Sequence, residues 1–177
     1  KFINKALNNG AKFCITDKKI SKNKSENILI VENVLEYLKK IAKEKKSKFK
    51  GKVIGITGSA GKTTLKENLA FFLNKICKIS FSKDSYNNEL GVLITMVNLN
   101  LTSKFAIFEL GTNNFGEIRY LTTLVQPSQI FITNIQSTHL ENLRTKNNIV
   151  NEKSDIFLSK YNRVRRLLYL NIISKYE

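Results

Sequence analysis

Between Gly55 and Thr64 the chain reads GITGSAGKTT, directly after the apolar pair Val53 and Ile54. This spacing suits the binding of a phosphate chain. Gly58 and Gly61 permit backbone angles that other residues avoid. The loop opens a helix, so successive amides from Thr57, Gly58, Ser59, Ala60, Gly61, Lys62, Thr63 and Thr64 converge, and the helix dipole adds positive potential. Lys62 supplies a point charge for β- and γ-phosphates, and the Thr63 hydroxyl suits Mg²⁺. One feature departs from the usual G-x-x-x-x-G-K-[ST] pattern: the first glycine would fall at Ile56.

Other residues have chemistry to offer but no fixed role by themselves. Glu109 closes the apolar run KFAIFEL beside Gly111. An open α/β sheet presents its ligand-binding groups at such strand ends, and a carboxylate there suits a hard cation. His139 is the single histidine, just past the run QIFITNI, and reads equally as a site residue or a surface residue. Lys153 is one lysine among many. Asn87, Asn88 and Glu89 precede an apolar helical pattern and fit a polar turn with an acidic helix start. Asn113 and Asn114 suit a turn as well as a substrate contact. Asn134 falls at the end of QIFITNI.

The elements around these residues alternate. Residues 2–9 read as a short helix, AKFCIT and NILIVE as strands, and VENVLEYLKKIAKEKK as an amphipathic helix with Val31, Val34, Leu35, Leu38 and Ile41 on one face. Lys45 to Lys52 reads as a linker. KVIGIT, KISFS, KFAIFEL and QIFITNI then read as strands. TLKENLAFFLNKI, ELGVLITMVNL, GEIRYLTTLV and KNNIVNEKSDIFLSKY read as helices. The alternation predicts an α/β fold, a mostly parallel sheet with helices on both faces. Pro127 stands just before the strand QIFITNI, where the preceding helix must have ended.

With 42% hydrophobic and 25% charged residues in 177, the composition is that of a globular protein. It contains no apolar run of membrane-spanning length. Cys14 and Cys77 form no C-x-x-C pair and read as small buried hydrophobes, as in a reducing cytoplasm. The net charge of +16 comes mostly from scattered lysines. Arginine, the usual bidentate reader of phosphate and bases, is scarce, so nucleic acid is not the expected partner. A P-loop ATPase with a basic nucleic-acid-binding surface is kept as an alternative.

The shorter form T-G-[ST]-x-G-K-[ST]-[ST] resembles the phosphate loop of the Mur ligase family, the ATP-dependent peptide-bond formers of peptidoglycan synthesis. Folylpolyglutamate synthases share that loop and, with the other Mur-type ligases, are a further alternative. The stretches YNNELGV, FELGTNNFGEIRYL, ITNIQSTHLENL and NEKSDIF resemble, in order and spacing, the central domain of the branch that adds D-Ala-D-Ala to a UDP-MurNAc-tripeptide. The upstream stretch FINKALNNGAKFCIT…ILIVENVLEYLKKIA resembles the end of that branch's N-terminal substrate domain. The resemblance fades after about Tyr161, and the family usually has proline at the position of Leu93.

The resemblance implies a truncated Mur ligase central domain over residues 47–177. Residues 1–46 would be the end of a nucleotide-sugar-binding domain and a connecting helix. It implies ATP and Mg²⁺ as cofactors, with UDP-MurNAc-tripeptide and D-Ala-D-Ala as substrates of a cytoplasmic, bacterial, monomeric enzyme. Lys62, His139 and Lys153 would be catalytic. Thr63, Glu109, His139 and Lys153 would hold metal, with Lys153 carbamylated, and Asn87, Asn88, Glu89 and Asn134 would face substrate. The family enzymes continue into an Asn-rich HN…N segment and a C-terminal domain that holds the incoming amine. The isolated chain is therefore expected not to ligate, because ligation needs three domains to orient both substrates.

Overall fold

The computed structural model describes residues 2–18, 26–82, 84–137, 140–159 and 167–169. The chain divides into two compact units, residues 1–41 and 42–177. In the first unit, helix α1 (Phe2–Asn8) precedes two short strands, β1 (Cys14–Thr16) and β2 (Ile28–Ile30). The strands pair in parallel, Cys14 opposite Ile28 and Thr16 opposite Ile30. Helix α2 (Val34–Lys48) runs across the division between the units. It continues through residues expected to be linker. Lysine and glutamate are good helix formers, and the Glu44–Lys48 pair, 2.6 Å apart at i,i+4 spacing, supports the last turn.

The second unit is built on five strands in the order β4-β5-β3-β6-β7: β3 (Lys52–Thr57), β4 (Ile79–Phe81), β5 (Phe105–Glu109), β6 (Gln129–Ile132) and β7 (Leu167–Tyr169). All four pairings are parallel. Parallel neighbours need crossovers, and helices supply them: α3 (Lys62–Leu73), α4 (Glu89–Val97), α5 (Glu117–Val125), α6 (Leu140–Leu143) and α7 (Lys146–Ser154), the last followed by a 3₁₀ turn at Asp155–Leu158. The α/β reading of the sequence therefore holds.

Alternation along β3 puts a helix layer on each face. Ile54 and Ile56 join Ile107 and Ala70 in a buried cluster, against which Leu65, Leu69 and Leu73 of α3 pack. The intervening Gly55 faces the other way. A Cβ there would lie 3.0 Å from Pro127 and 3.5 Å from Ile156, so the second layer comes close to the strand backbone. Ile118, Leu121, Leu124 and Val125 of α5 are buried as well.

Two of these boundaries, and the burial of one cysteine, differ from the sequence reading. The strand expected over QIFITNI stops at Ile132, because Thr133, Asn134 and Gln136 turn to bond the loop after β3. The helix expected through Tyr161 gives way to the 3₁₀ turn at Asp155. Cys14 is buried as expected, whereas Cys77 is only half-buried; it follows α3, next to the exposed Ile76.

Ile56 is wholly buried between β5 and β6. Ile56→Ala is expected to cost about 2–5 kcal/mol. A urea titration should show the transition midpoint falling with little change in slope.

Candidate active site

The register of the sheet assembles the site. Ile56 lies opposite Glu109 and Thr57 opposite Ile132. The carboxyl ends of β3, β5 and β6 are thus level, the place where open α/β sheets gather ligands. The loop from β3 to α3 leaves from that edge. Gly58 takes φ +145°, and a Cβ there would sit 1.9 Å from the Thr133 hydroxyl, so both the conformation and the close approach require glycine. Gly61, at φ 77°, caps α3 without a side chain, leaving the first amides of the helix uncapped by any side chain.

The loop is held from β6. Ser59 N donates to Asn134 O (3.0 Å) and Ala60 N to Asn134 Oδ1 (2.9 Å). The Thr133 hydroxyl donates to Ala60 O (2.5 Å), and Ser59 exchanges bonds with the Gln136 backbone. Asn134 therefore meets the phosphate loop through its own side chain. Thr57 is buried at the strand end, and Thr64 is exposed on the first turn of α3.

Beside the loop sits an oxygen cluster. The Thr63 hydroxyl lies 3.1 and 3.0 Å from the two Glu109 carboxylate oxygens and 3.1 Å from Ser85 Oγ. Asn87 Nδ2 donates to Glu109 Oε1 (3.0 Å). Glu109 is 2% exposed. Gly111 lets this happen: its N–H donates to Asn87 O (2.8 Å), and a Cβ would strike the Asn87 side chain at 2.8 Å. Hydroxyl and carboxylate oxygens converging on one point are the donors that Mg²⁺ accepts beside substrate phosphates, where one or two carboxylates suffice. No group of three or more His, Cys, Asp or Glu able to hold a metal occurs among the described residues.

Two cations face the same region. Lys62 Nζ donates to Gly58 O (2.8 Å); burial lowers its pKa and the Glu109 charge raises it. Lys153, on α7, is 1% exposed. Burial first, then the neighbouring Lys62 charge, pushes its pKa down to about 8, against a smaller upward pull from Glu152. Both effects disfavour the ammonium form.

Other expected residues are elsewhere engaged. Asn88 caps α4, its side chain accepting from Gly91 N (2.9 Å). Glu89 accepts from the Tyr120 hydroxyl (2.5 Å). Asn113 and Asn114 form a turn whose amides donate to Glu117. His139 lies outside the described residues. The sequence reading missed three participants. Ser85 joins Thr63, and Lys66 is wholly buried on α3. Glu152 is 3% exposed and accepts from Gly116 N (2.7 Å), Ile118 N (2.8 Å) and the Thr112 hydroxyl (3.2 Å). Only the helical spacing from Thr63 to Lys66 could have signalled the second of these.

The depressed pKa of Lys153 carries a stability consequence. Below about pH 8 the lysine is protonated in both folded and unfolded chains, and its burial costs on the order of a few kcal/mol. Between the folded and unfolded values the unfolded chain binds more protons, so this cost fades as pH rises. Lys153→Met is expected to raise stability at pH 7 and to lose that advantage towards pH 10. Urea unfolding of both chains across that range is the measurement.

A family profile described as Mur ligase middle domain matches residues 56–172, past Tyr161, where the resemblance read from the sequence faded. The UDP-N-acetylmuramoyl-tripeptide–D-alanyl-D-alanine ligase of Rickettsia prowazekii is 37% identical over 156 residues, covering 88% of this chain and 35% of its own length. A crystal structure of MurF from Acinetobacter baumannii superposes with a TM-score of 0.76 at 31% identity, covering 89% of this chain and 35% of that one. MurF ligase from Thermotoga maritima in complex with ADP gives 0.74 at 29% identity, covering 95% and 43%. The chain thus spans about a third of the length of the curated relatives it matches. With the phosphate loop, the level strand ends and this match in agreement, the chain belongs to the Mur ligase family through its middle domain.

Proposed function

We propose that this chain supplies the ATP-binding centre of a cytoplasmic ligase that joins D-Ala-D-Ala to a UDP-MurNAc-tripeptide. The observation that carries the reading is the Thr63–Glu109 pair, 3.0 Å apart, beside a phosphate loop in a chain 37% identical to such a ligase. Residues 47–177 are read as part of the ATP-binding domain, and residues 1–46 as the end of a nucleotide-sugar-binding domain with its connecting helix.

In this reading a peptide carboxylate attacks the γ-phosphate, giving an acyl phosphate and ADP. The amine of D-Ala-D-Ala then displaces phosphate to form the amide. The carboxylate and the triphosphate are both anionic and repel one another, so the centre must be cationic. The amides of Gly61, Lys62 and Thr63, which open α3 without a side-chain cap, hold the phosphate chain, and Lys62 swings from Gly58 O to the γ-phosphate. Thr63 and Glu109 would hold Mg²⁺, which would offset the charge of the phosphate chain. Asn87 orients Glu109, and Asn134 braces the loop. Asn88 and Glu89 set the start of α4 at the edge of the substrate cleft.

Lys153 is read as the carbamylated lysine. A carbamate forms on a neutral amine, and a buried lysine with a pKa near 8 holds a useful fraction of that form at neutral pH. The product is anionic, which removes the repulsion from Lys62 and provides oxygens for a second cation. His139 is assigned to that second metal by family resemblance.

Calorimetry of the 177-residue chain with ADP and Mg²⁺ is the direct test. Binding is expected, and Lys62→Ala should weaken it by about tenfold or more, the loss of a charge-assisted contact. Absence of any MgADP binding by the folded chain would overturn the reading. A chain extended to the length of its relatives should form the amide from UDP-MurNAc-tripeptide, D-Ala-D-Ala and ATP. The 177-residue chain should not. In ¹³C-bicarbonate, NMR should show a carbamate resonance that disappears in Lys153→Met.

A further inference from the structure

Lys66 is among the largest fully buried side chains of the described residues, and none of the roles above uses it. A buried ammonium is costly unless paired and hydrogen-bonded. Here Nζ donates to Asp84 O (2.7 Å) and Ser82 Oγ (3.3 Å). Glu67 Oε1 lies at 3.2 Å and Glu109 Oε2 at 3.9 Å. Three donors meet three close acceptors, with the site carboxylate as a fourth, longer partner.

The position of Lys66 gives these contacts a direction. It follows Thr63 by one helical turn on α3, so the two side chains share a face. Its acceptors, Ser82 and Asp84, immediately precede Ser85 and Asn87, which touch Thr63 and Glu109 respectively. One ammonium therefore ties α3, the residues after β4 and the end of β5 to a common point.

We propose that Lys66 is a positioning residue for the metal-binding pair. Its ammonium fixes the residues after β4 so that Asn87 reaches Glu109, and it holds the Glu109 carboxylate turned towards Thr63. This rests on the reading of Thr63 and Glu109 as the Mg²⁺ pair. A clamp that served the fold alone would have no need of a charge beside Glu109, since an apolar side chain of similar volume fills a core at least as well.

The test uses the 177-residue chain carrying Lys66→Met. Lys66→Gln, which keeps a donor for Asp84 O, serves if circular dichroism shows the first variant unfolded. ADP affinity is measured with and without Mg²⁺, and the side-chain amide signals of Asn87 are followed by ¹⁵N NMR. The variant should lose about tenfold or more in ADP affinity with Mg²⁺ and less than about twofold without it. The Asn87 signals should move towards those of a solvated asparagine. Equal losses with and without the metal would mark a general structural defect and overturn the proposal, as would unmoved Asn87 signals in a folded variant. If the unsubstituted chain binds ADP equally with and without Mg²⁺, the metal reading fails separately. The Asn87 signals then decide the positioning role: moved, it stands; unmoved, it falls.

Discussion

A carboxylate buried at the end of a strand has lost its water and must be repaid in contacts, and Glu109 sets the terms for the whole site. Its oxygens are met by the Thr63 hydroxyl, the Asn87 amide and, at longer range, the Lys66 ammonium. Each partner comes from a different stretch: the start of α3, the approach to α4, and one turn further along α3. They can meet only if β5 lies beside β3 in the observed register, Ile56 opposite Glu109. A slip of one residue would turn Glu109 to the opposite face of the sheet.

The cations oppose one another where the carboxylate attracts. Lys62 and Lys153 are both desolvated, and the Lys62 charge depresses the Lys153 pKa. Left alone, the arrangement works against the fold, because each ammonium would be better solvated elsewhere. An anionic charge placed beside either ammonium would relieve the repulsion.

The second face of the sheet is tied to the same edge by another carboxylate. Glu152 caps the start of α5, whose own N-cap residue, Gly116, has no side chain to do so. It also accepts from Thr112, three residues beyond Glu109. Helix α7, which carries Lys153, is thereby registered against the segment that leaves β5. A helix end satisfied from another element is a tertiary constraint, and it links the two halves of the cationic centre.

Much of this protein is legible in the sequence. Apolar runs and turn residues placed every strand of the sheet up to β6. Gly58, Gly61, Lys62 and Thr63 declared a phosphate loop, because the backbone angles and the charge are local properties. Glu109 was legible as an acidic residue ending an apolar strand. The structure alone decided what these groups touch. Lysine is so abundant here that, apart from the spacing of Lys66 from Thr63 and the family resemblance at Lys153, nothing in the sequence separates these two buried lysines from solvated ones; burial is a property of packing between elements distant in the chain. Asn88 and Asn87 are neighbours with unlike tasks, one capping a helix and the other reaching Glu109, because the chain turns between them. The end of β6 was set by the loop it braces, a contact across more than seventy residues. Local chemistry is written residue by residue, whereas the pairing of charges depends on which strands lie side by side, and that is a decision of the folded chain.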